Sequence, residues 1–174
     1  MARRIVLVRA VNVGGAKLPM ADLRELAAAL GATEVSTFIA SGNLICAVPE
    51  EPAVFDRALE AAIQERFGYF REVISRTPEE LAAALAAYPF DRSMPKYGYL
   101  HVLADAPTPE VSAAFNAADF GPDEAAVAGD IAYLRYAEGA GVSKLTASVL
   151  ARKLGVQGTA RNLDTIAKLI ELAS

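Results

Sequence analysis

Tryptophan is absent from the 174 residues, cysteine and histidine occur once each, and aromatic residues make up only 7% of the chain. Each shortage removes a class of chemistry. Cys46 alone cannot close an internal disulfide, so a secreted disulfide scaffold is excluded and a cytoplasmic setting is expected. One histidine and one cysteine cannot build a zinc site without several carboxylates. No metal is therefore expected, and no cofactor can be named. A Ser-His-Asp or Cys-His site needs a histidine beside its nucleophile. His101 lies in Tyr99-Leu100-His101-Val102-Leu103, which reads as a strand with the histidine half-exposed. No catalytic constellation is recognisable. No run approaches the ~18 apolar residues of a membrane span. The opening MARRIVLVRAVNV looks like a signal peptide only until Arg9 and Asn12 interrupt it, so a buried first strand is the better expectation.

What is present is a core and an uneven charge. The hydrophobic fraction is 53%, inflated by alanine, and the net charge is −4. Residues 1–20 hold Arg3, Arg4, Arg9 and Lys17 with no acid. Residues 141–174 hold Lys144, Arg152, Lys153, Arg161 and Lys168 against Asp164 and Glu171. The middle is strongly acidic. Basic ends that met in the fold would form a positive patch on an acidic body, although plain solvated scatter explains the same pattern.

Periodicity supplies the elements. Residues 4–10 read as a strand. A helix opens at Pro19, carries Leu23, Leu26, Ala27 and Leu30 at helical spacing, and stops at Gly31. Residues 34–40 and 43–48 form a hairpin around Ser41-Gly42-Asn43. Residues 54–67 form a helix with Phe55, Leu59 and Ile63 on one face, and residues 69–75 a fourth strand. In the second half Thr77, Pro78 and Glu80 spell a helix start. A strand over 99–104, a helix over 109–118 and a hairpin of 124–128 with 131–137 follow. Helices over 143–154 and 159–172 close the chain. The expected class is α+β, a tandem duplication of ferredoxin-like (βαββαβ) halves, residues 1–76 and 77–174, the second with extra C-terminal helices.

Three polar clusters stand out. The first, with Arg9, Asn12, Gly14 and Gly15, lies between a strand and a helix, where glycines admit a ligand and a helix N-terminus favours an anion. It lacks the spacing and the Lys-Ser/Thr ending of a phosphate loop. The second, Ser41-Gly42-Asn43, is explained as a turn. The third joins Ser143, Lys144 and Thr146 to Thr159, Arg161, Asn162, Asp164, Thr165 and Lys168. Ser143 and Thr159 are expected to begin their helices, with Arg161, Asp164 or Thr165, and Lys168 along one face of the last. It reads either as a solvated helix face or as a basic rim for a phosphate or carboxylate. Cys46 alternates with Leu44 and Val48 as a core residue.

Leu7-Val8-Arg9-Ala10-Val11-Asn12-Val13-Gly14-Gly15 with Pro19-Met20-Ala21-Asp22-Leu23, Thr37-Phe38-Ile39-Ala40-Ser41-Gly42-Asn43-Leu44, and Lys144-Leu145-Thr146 with Gly158-Thr159-Ala160-Arg161-Asn162 together resemble a bacterial family, Domain of Unknown Function 1697. The resemblance covers nearly the whole chain. It implies a duplicated ferredoxin-like α+β fold and no established activity, cofactor or substrate. It places family motif positions on Arg9, Asn12, Gly14, Gly15, Ser41, Gly42, Asn43, Lys144, Thr159, Arg161, Asn162, Thr165 and Lys168. The chain departs from the family at Ala10, usually glycine, and at Leu163, often tryptophan.

Two functional readings stand level. In one, the first and third clusters meet and bind a small anionic or phosphorylated ligand through Arg9, Asn12, Gly14, Gly15, Lys144, Thr159, Arg161, Asn162 and Lys168. In the other, the protein is a non-enzymatic structural or interaction module whose motif residues hold the two halves together. Nucleic acid comes third, because residues 4–10 and 43–48 carry no aromatic on which a base could stack.

Overall fold

The computed structural model describes residues 1–12, 15–49 and 51–174. It has an α+β architecture of two four-stranded antiparallel sheets and six helices among the described residues. Two compact units are formed, residues 1–81 with 168–174, and residues 82–167.

In the first unit the order is β1 (Ala2–Val8), α1 (Met20–Ala29), β2 (Thr33–Thr37), β3 (Asn43–Val48), α2 (Pro52–Phe67) and β4 (Val73–Arg76). The sheet runs β2-β3-β1-β4, and every neighbouring pair is antiparallel. The period-two pattern puts Val6 and Val8 of β1, with Leu44, Cys46 and Val48 of β3, into one core against Leu23 and Leu26 of α1 and Phe55, Leu59 and Ile63 of α2. Each such large side chain contributes about 1.5–3 kcal/mol by leaving water. Helix α2 opens on Pro52 and ends at Gly68, whose left-handed φ of 78° lets its N–H reach the Gln64 carbonyl at 2.9 Å. The fourth strand is shorter than its apolar pattern suggests. Tyr69 instead stacks on Phe67, with Arg71 over its ring.

Helix α3 (Pro78–Ala86) begins with a reciprocal cap. Thr77 N–H donates to Glu80 Oε2 at 2.8 Å, and Glu80 N–H donates to Thr77 Oγ1 at 3.1 Å.

In the second unit the order is β5 (Gly98–Leu103), α4 (Pro109–Ala117), β6 (Glu124–Ala128), β7 (Ile131–Arg135), α5 (Ala147–Leu154) and β8 (Gly158–Asn162); α6 (Leu163–Ala173) follows, and from Lys168 on it is counted with the first unit. The sheet runs β6-β7-β5-β8, again antiparallel throughout. Its core joins Leu103, Ala132 and Leu134 to Phe115 of α4 and Leu150 and Leu154 of α5. Asn116 binds the edge strand like a missing neighbour: its Nδ2 donates to the Val127 carbonyl at 3.0 Å, and its Oδ1 accepts from Val127 N–H at 2.7 Å.

The end of the chain corrects the sequence expectation. Residues 158–162 are a strand, paired with β5 from Leu103↔Gly158 to Tyr99↔Asn162. Thr159 therefore begins no helix. The true cap is Asn162, whose Oδ1 accepts from Thr165 N–H at 2.8 Å. Both residues are good caps, so local sequence left the choice open. The side of β5 opposite β7 decided it, because its backbone groups need a partner. The helix expected over 143–154 starts later, capped by Thr146. Helix α5 is thus a crossover helix of the second sheet, and α6 alone is left as an extra C-terminal helix. His101 is also corrected. It is 2% exposed, because its pairing with Ala132 and the period of two put it on the sheet face of Leu103 and Ala132, which packs against Phe115 of α4 and Leu150 and Leu154 of α5.

Candidate functional site

At one end of the first sheet the structure brings the first and second polar clusters together. Asn12 has a left-handed backbone (φ 57°) and closes the loop after β1. Its Oδ1 accepts from Leu18 N–H at 2.9 Å, and its Nδ2 donates to the Leu18 and Ala40 carbonyls. The segment 38–42 is held in turn by Asn43. This residue is fully buried and donates from Nδ2 to the Phe38 carbonyl at 3.0 Å and to Ser41 Oγ at 2.8 Å. Gly42 (φ 85°) accepts from Val8 N–H at 2.9 Å. A Cβ there would lie 2.7 Å from Val11 Cγ2 and 2.8 Å from the Val8 carbonyl, so both conformation and space demand glycine.

At this end Arg9 is paired. Arg9 Nη1 lies 3.1 Å from Glu72 Oε2, and the Arg9 N–H donates to the Glu72 carbonyl. Arg71 donates to the Ala10 carbonyl at 3.2 Å, and the Tyr69 hydroxyl to the Lys17 carbonyl at 2.7 Å. Gly15 is exposed with φ 85°. Gly14 lies outside the described residues. Ala10 (φ 53°) and Ile39 (φ 50°) adopt left-handed backbone without being glycine, a strain these ties must hold.

The third cluster divides. Arg161 projects from β8, 7% exposed, and donates from Nη1 to Thr159 Oγ1 at 2.6 Å and to the Ala160 carbonyl at 2.9 Å. Burial pushes its pKa down to about 10. Thr159 is likewise buried. Lys168, on α6, pairs with Glu171 at 3.3 Å on an exposed turn. The helical face expected to join Arg161, Asp164 or Thr165, and Lys168 does not form, because Arg161 belongs to a strand.

Lys144 is exposed on the rim of a cleft of about 610 Å³ in the second unit. One wall is the loop with Asp119, Phe120 and Asp123; the other is the segment from Ala137 to Leu145 with the Val149, Arg152 and Lys153 face of α5. Asp119 accepts from Gly121 N–H at 2.8 Å. Asp123 accepts from Ala137 N–H at 2.9 Å and from the Ser143 hydroxyl at 2.7 Å. These carboxylates shape the turns that frame the cleft. Sequence reasoning reached Ser143 and Lys144 and missed Phe120, Arg152 and Lys153. The i, i+3, i+4 spacing of Val149, Arg152 and Lys153 was the available signal.

A second buried polar group had no clear signal. Asp56 of α2 is 7% exposed, and its Oδ2 accepts from Ser75 Oγ at 2.9 Å. Arg4 also donates to Ser75. Burial raises the Asp56 pKa, and the Ser75 hydrogen bond and Arg4 oppose that rise. Cys46 is fully buried, and burial raises its thiol to about 11, so no reactive thiolate forms at neutral pH. Among the described residues no group of three histidine, cysteine, aspartate or glutamate side chains is placed to hold a metal ion. Among them, too, no helix is long and apolar enough to cross a membrane.

The geometry defines an α+β protein whose motif residues are largely bonded to their own backbone. The family described as Protein of unknown function (DUF1697) matches residues 1–133, and the chain belongs to it. Among solved structures the chain is similar to the conserved bacterial protein SP0830 from Streptococcus pneumoniae, at 22% identity and a TM-score of 0.75. That similarity covers 99% of this chain and 98% of the other, and it shows the fold. No curated protein matches the chain.

Proposed function

We infer that the protein is a non-enzymatic structural or interaction module in which the family-motif residues hold loops and sheet ends within each unit. The observation that carries this reading is the fate of their polar atoms. The Asn12 and Asn43 amides bind loop atoms, Asn162 caps a helix, Arg161 binds Thr159, and Arg9 pairs with Glu72. A phosphate at these residues would have to displace those bonds. The same reading treats residues 1–76 and 77–174 as tandem ferredoxin-like halves. It is supported by the matching orders β2-β3-β1-β4 and β6-β7-β5-β8 around the same succession of strands and helices. A cytoplasmic setting fits a single, buried cysteine.

The double variant Arg9→Ala with Arg161→Ala tests the reading by thermal melting with and without phosphorylated metabolites. The expected outcome is a fall in Tm, about 2–4 °C for each kcal/mol lost, with no ligand stabilisation removed. An unchanged Tm combined with loss of a ligand-induced rise would establish the anion-binding reading of these residues instead.

A further inference from the structure

The cleft of the second unit does not depend on the motif ties, and the three cations and three acids that line it differ in how they are bound. Among the described residues Lys144 and Arg152 make no hydrogen bond or ion pair, and Lys153 lies 6.0 Å from the centre of the Phe120 ring. Of the three acids lining the cleft, Asp119 and Asp123 are bound to backbone N–H groups and Ser143, which leaves Glu138. Between the cations the surface is apolar: Phe120 and Val149 pack beside the core, and Val142 stands 71% exposed. A volume of about 610 Å³ falls within the range of small-molecule sites.

We propose that this cleft binds a small organic anion, a carboxylate or phosphate monoester on an aromatic or apolar body. The acidic head sits between Lys144 and Arg152, and the body lies on Phe120 and Val149. Arg152 presents a planar fork that matches either head, and Lys144 adds a mobile point charge. A free inorganic anion would leave the apolar floor uncovered, and a neutral or cationic aromatic would leave two cations without a partner. Both halves of the ligand are therefore required.

The test is a titration of the full chain followed by amide chemical shifts. The probes are phenyl phosphate, benzoate, inorganic phosphate and benzylamine, each taken to about 10 mM, above the millimolar Kd expected of a fragment. The expected result is saturable shifts from phenyl phosphate or benzoate confined to residues 119–123, 137–145 and 149–153. Inorganic phosphate and benzylamine bind at least tenfold more weakly. The double variant Lys144→Gln with Arg152→Gln, both exposed positions, should keep the native spectrum and weaken binding at least tenfold. No saturable shift, shifts centred elsewhere, equal binding of benzylamine, or full affinity in the variant would each overturn the proposal. None of these outcomes bears on the Arg9 and Arg161 ties, whose test is a change in Tm.

Discussion

The two units share a strand order and differ in nearly every side chain that secures it. The first sheet is tied by amides and ions: Asn12 and Asn43 hold its loops, and Arg4 of β1 and Asp56 of α2 both bind Ser75 of β4. The second has one such amide, Asn116 at its edge strand, and is otherwise tied by phenols and packed rings. The Tyr88 hydroxyl donates to the Leu134 carbonyl at 2.8 Å, the Tyr136 hydroxyl donates to the Leu145 carbonyl at 3.0 Å, and Tyr99 meets Tyr136 edge-on at 5.3 Å. What repeats is the path of the backbone. The chemistry that fixes it is interchangeable, which is why the halves show no visible sequence identity. The second unit also keeps an open cleft lined by three cations and three acids.

Glycine gives the sharpest test of that equivalence, since each unit has one where backbone is approached closely. At Gly42 an added Cβ meets the Val8 carbonyl at 2.8 Å while φ is 85°. At Gly158 it meets His101 Nε2 at 2.7 Å and the Val102 carbonyl at 2.8 Å. Gly42→Ala should cost about 3–5 kcal/mol, combining strain with overpacking. Gly158→Ala should cost about 1–3 kcal/mol, the overpacking part alone. Urea denaturation with tyrosine fluorescence reads both. Equal losses would mean that the left-handed conformation at Gly42 carries no measurable strain.

The elements differed in how much their sequence disclosed. Residues 43–48 and 124–128 were legible to the residue, because turn residues bound a short apolar run there, Ser41-Gly42 before the first and Gly129-Asp130 after the second. The Thr77 cap was legible because Pro78 and Glu80 point the same way. Residues 158–162 were not. Gly-Thr-Ala-Arg-Asn has no strand alternation of its own, and it becomes a strand because β5 offers an unpaired side. The candidate cleft was legible only in part, through Ser143 and Lys144, for a related reason. Arg161 looks like a surface cation in one dimension, and only the sheet reveals that it is buried. Phe120 and Lys153 are distant in sequence, and nothing local announces that they face one cleft.

The buried acid sharpens the comparison further, since Asp56 gives the first unit a pH response. Its folded pKa is raised above the unfolded value of about 3.9. Between those two values the native state holds more protons than the unfolded chain, so stability falls as pH rises through that window. The fall is complete above the raised value. Ser75, Arg4 and Arg57 face the carboxylate and limit the effect. Asp56→Asn should flatten this part of the stability-against-pH curve while leaving the pH response of amide exchange in the second unit unchanged. A slope retained in the variant would assign the titration to another group.

The smallest effects separate a paired cation from an unpaired one. Arg9 and Glu72 are each only about a quarter exposed, 25% and 24%, and lie 3.1 Å apart. Partial burial weakens screening, so Arg9→Gln should cost about 1 kcal/mol, at the upper end for pairs near the surface, and the loss should shrink in high salt. Lys144 has no such partner among the described residues and stands on the cleft rim beside Arg152 and Lys153. Lys144 is exposed, and the cleft holds three acids beside its three cations, so Lys144→Gln should leave stability within about 0.5 kcal/mol of the parent. The two variants thus differ in size and in salt dependence, and denaturation at low and high salt distinguishes them. A loss at Lys144 equal to that at Arg9 would mean that the cleft cation supports the fold, and the division between a tied first unit and an open, ligand-ready second would fail at that point.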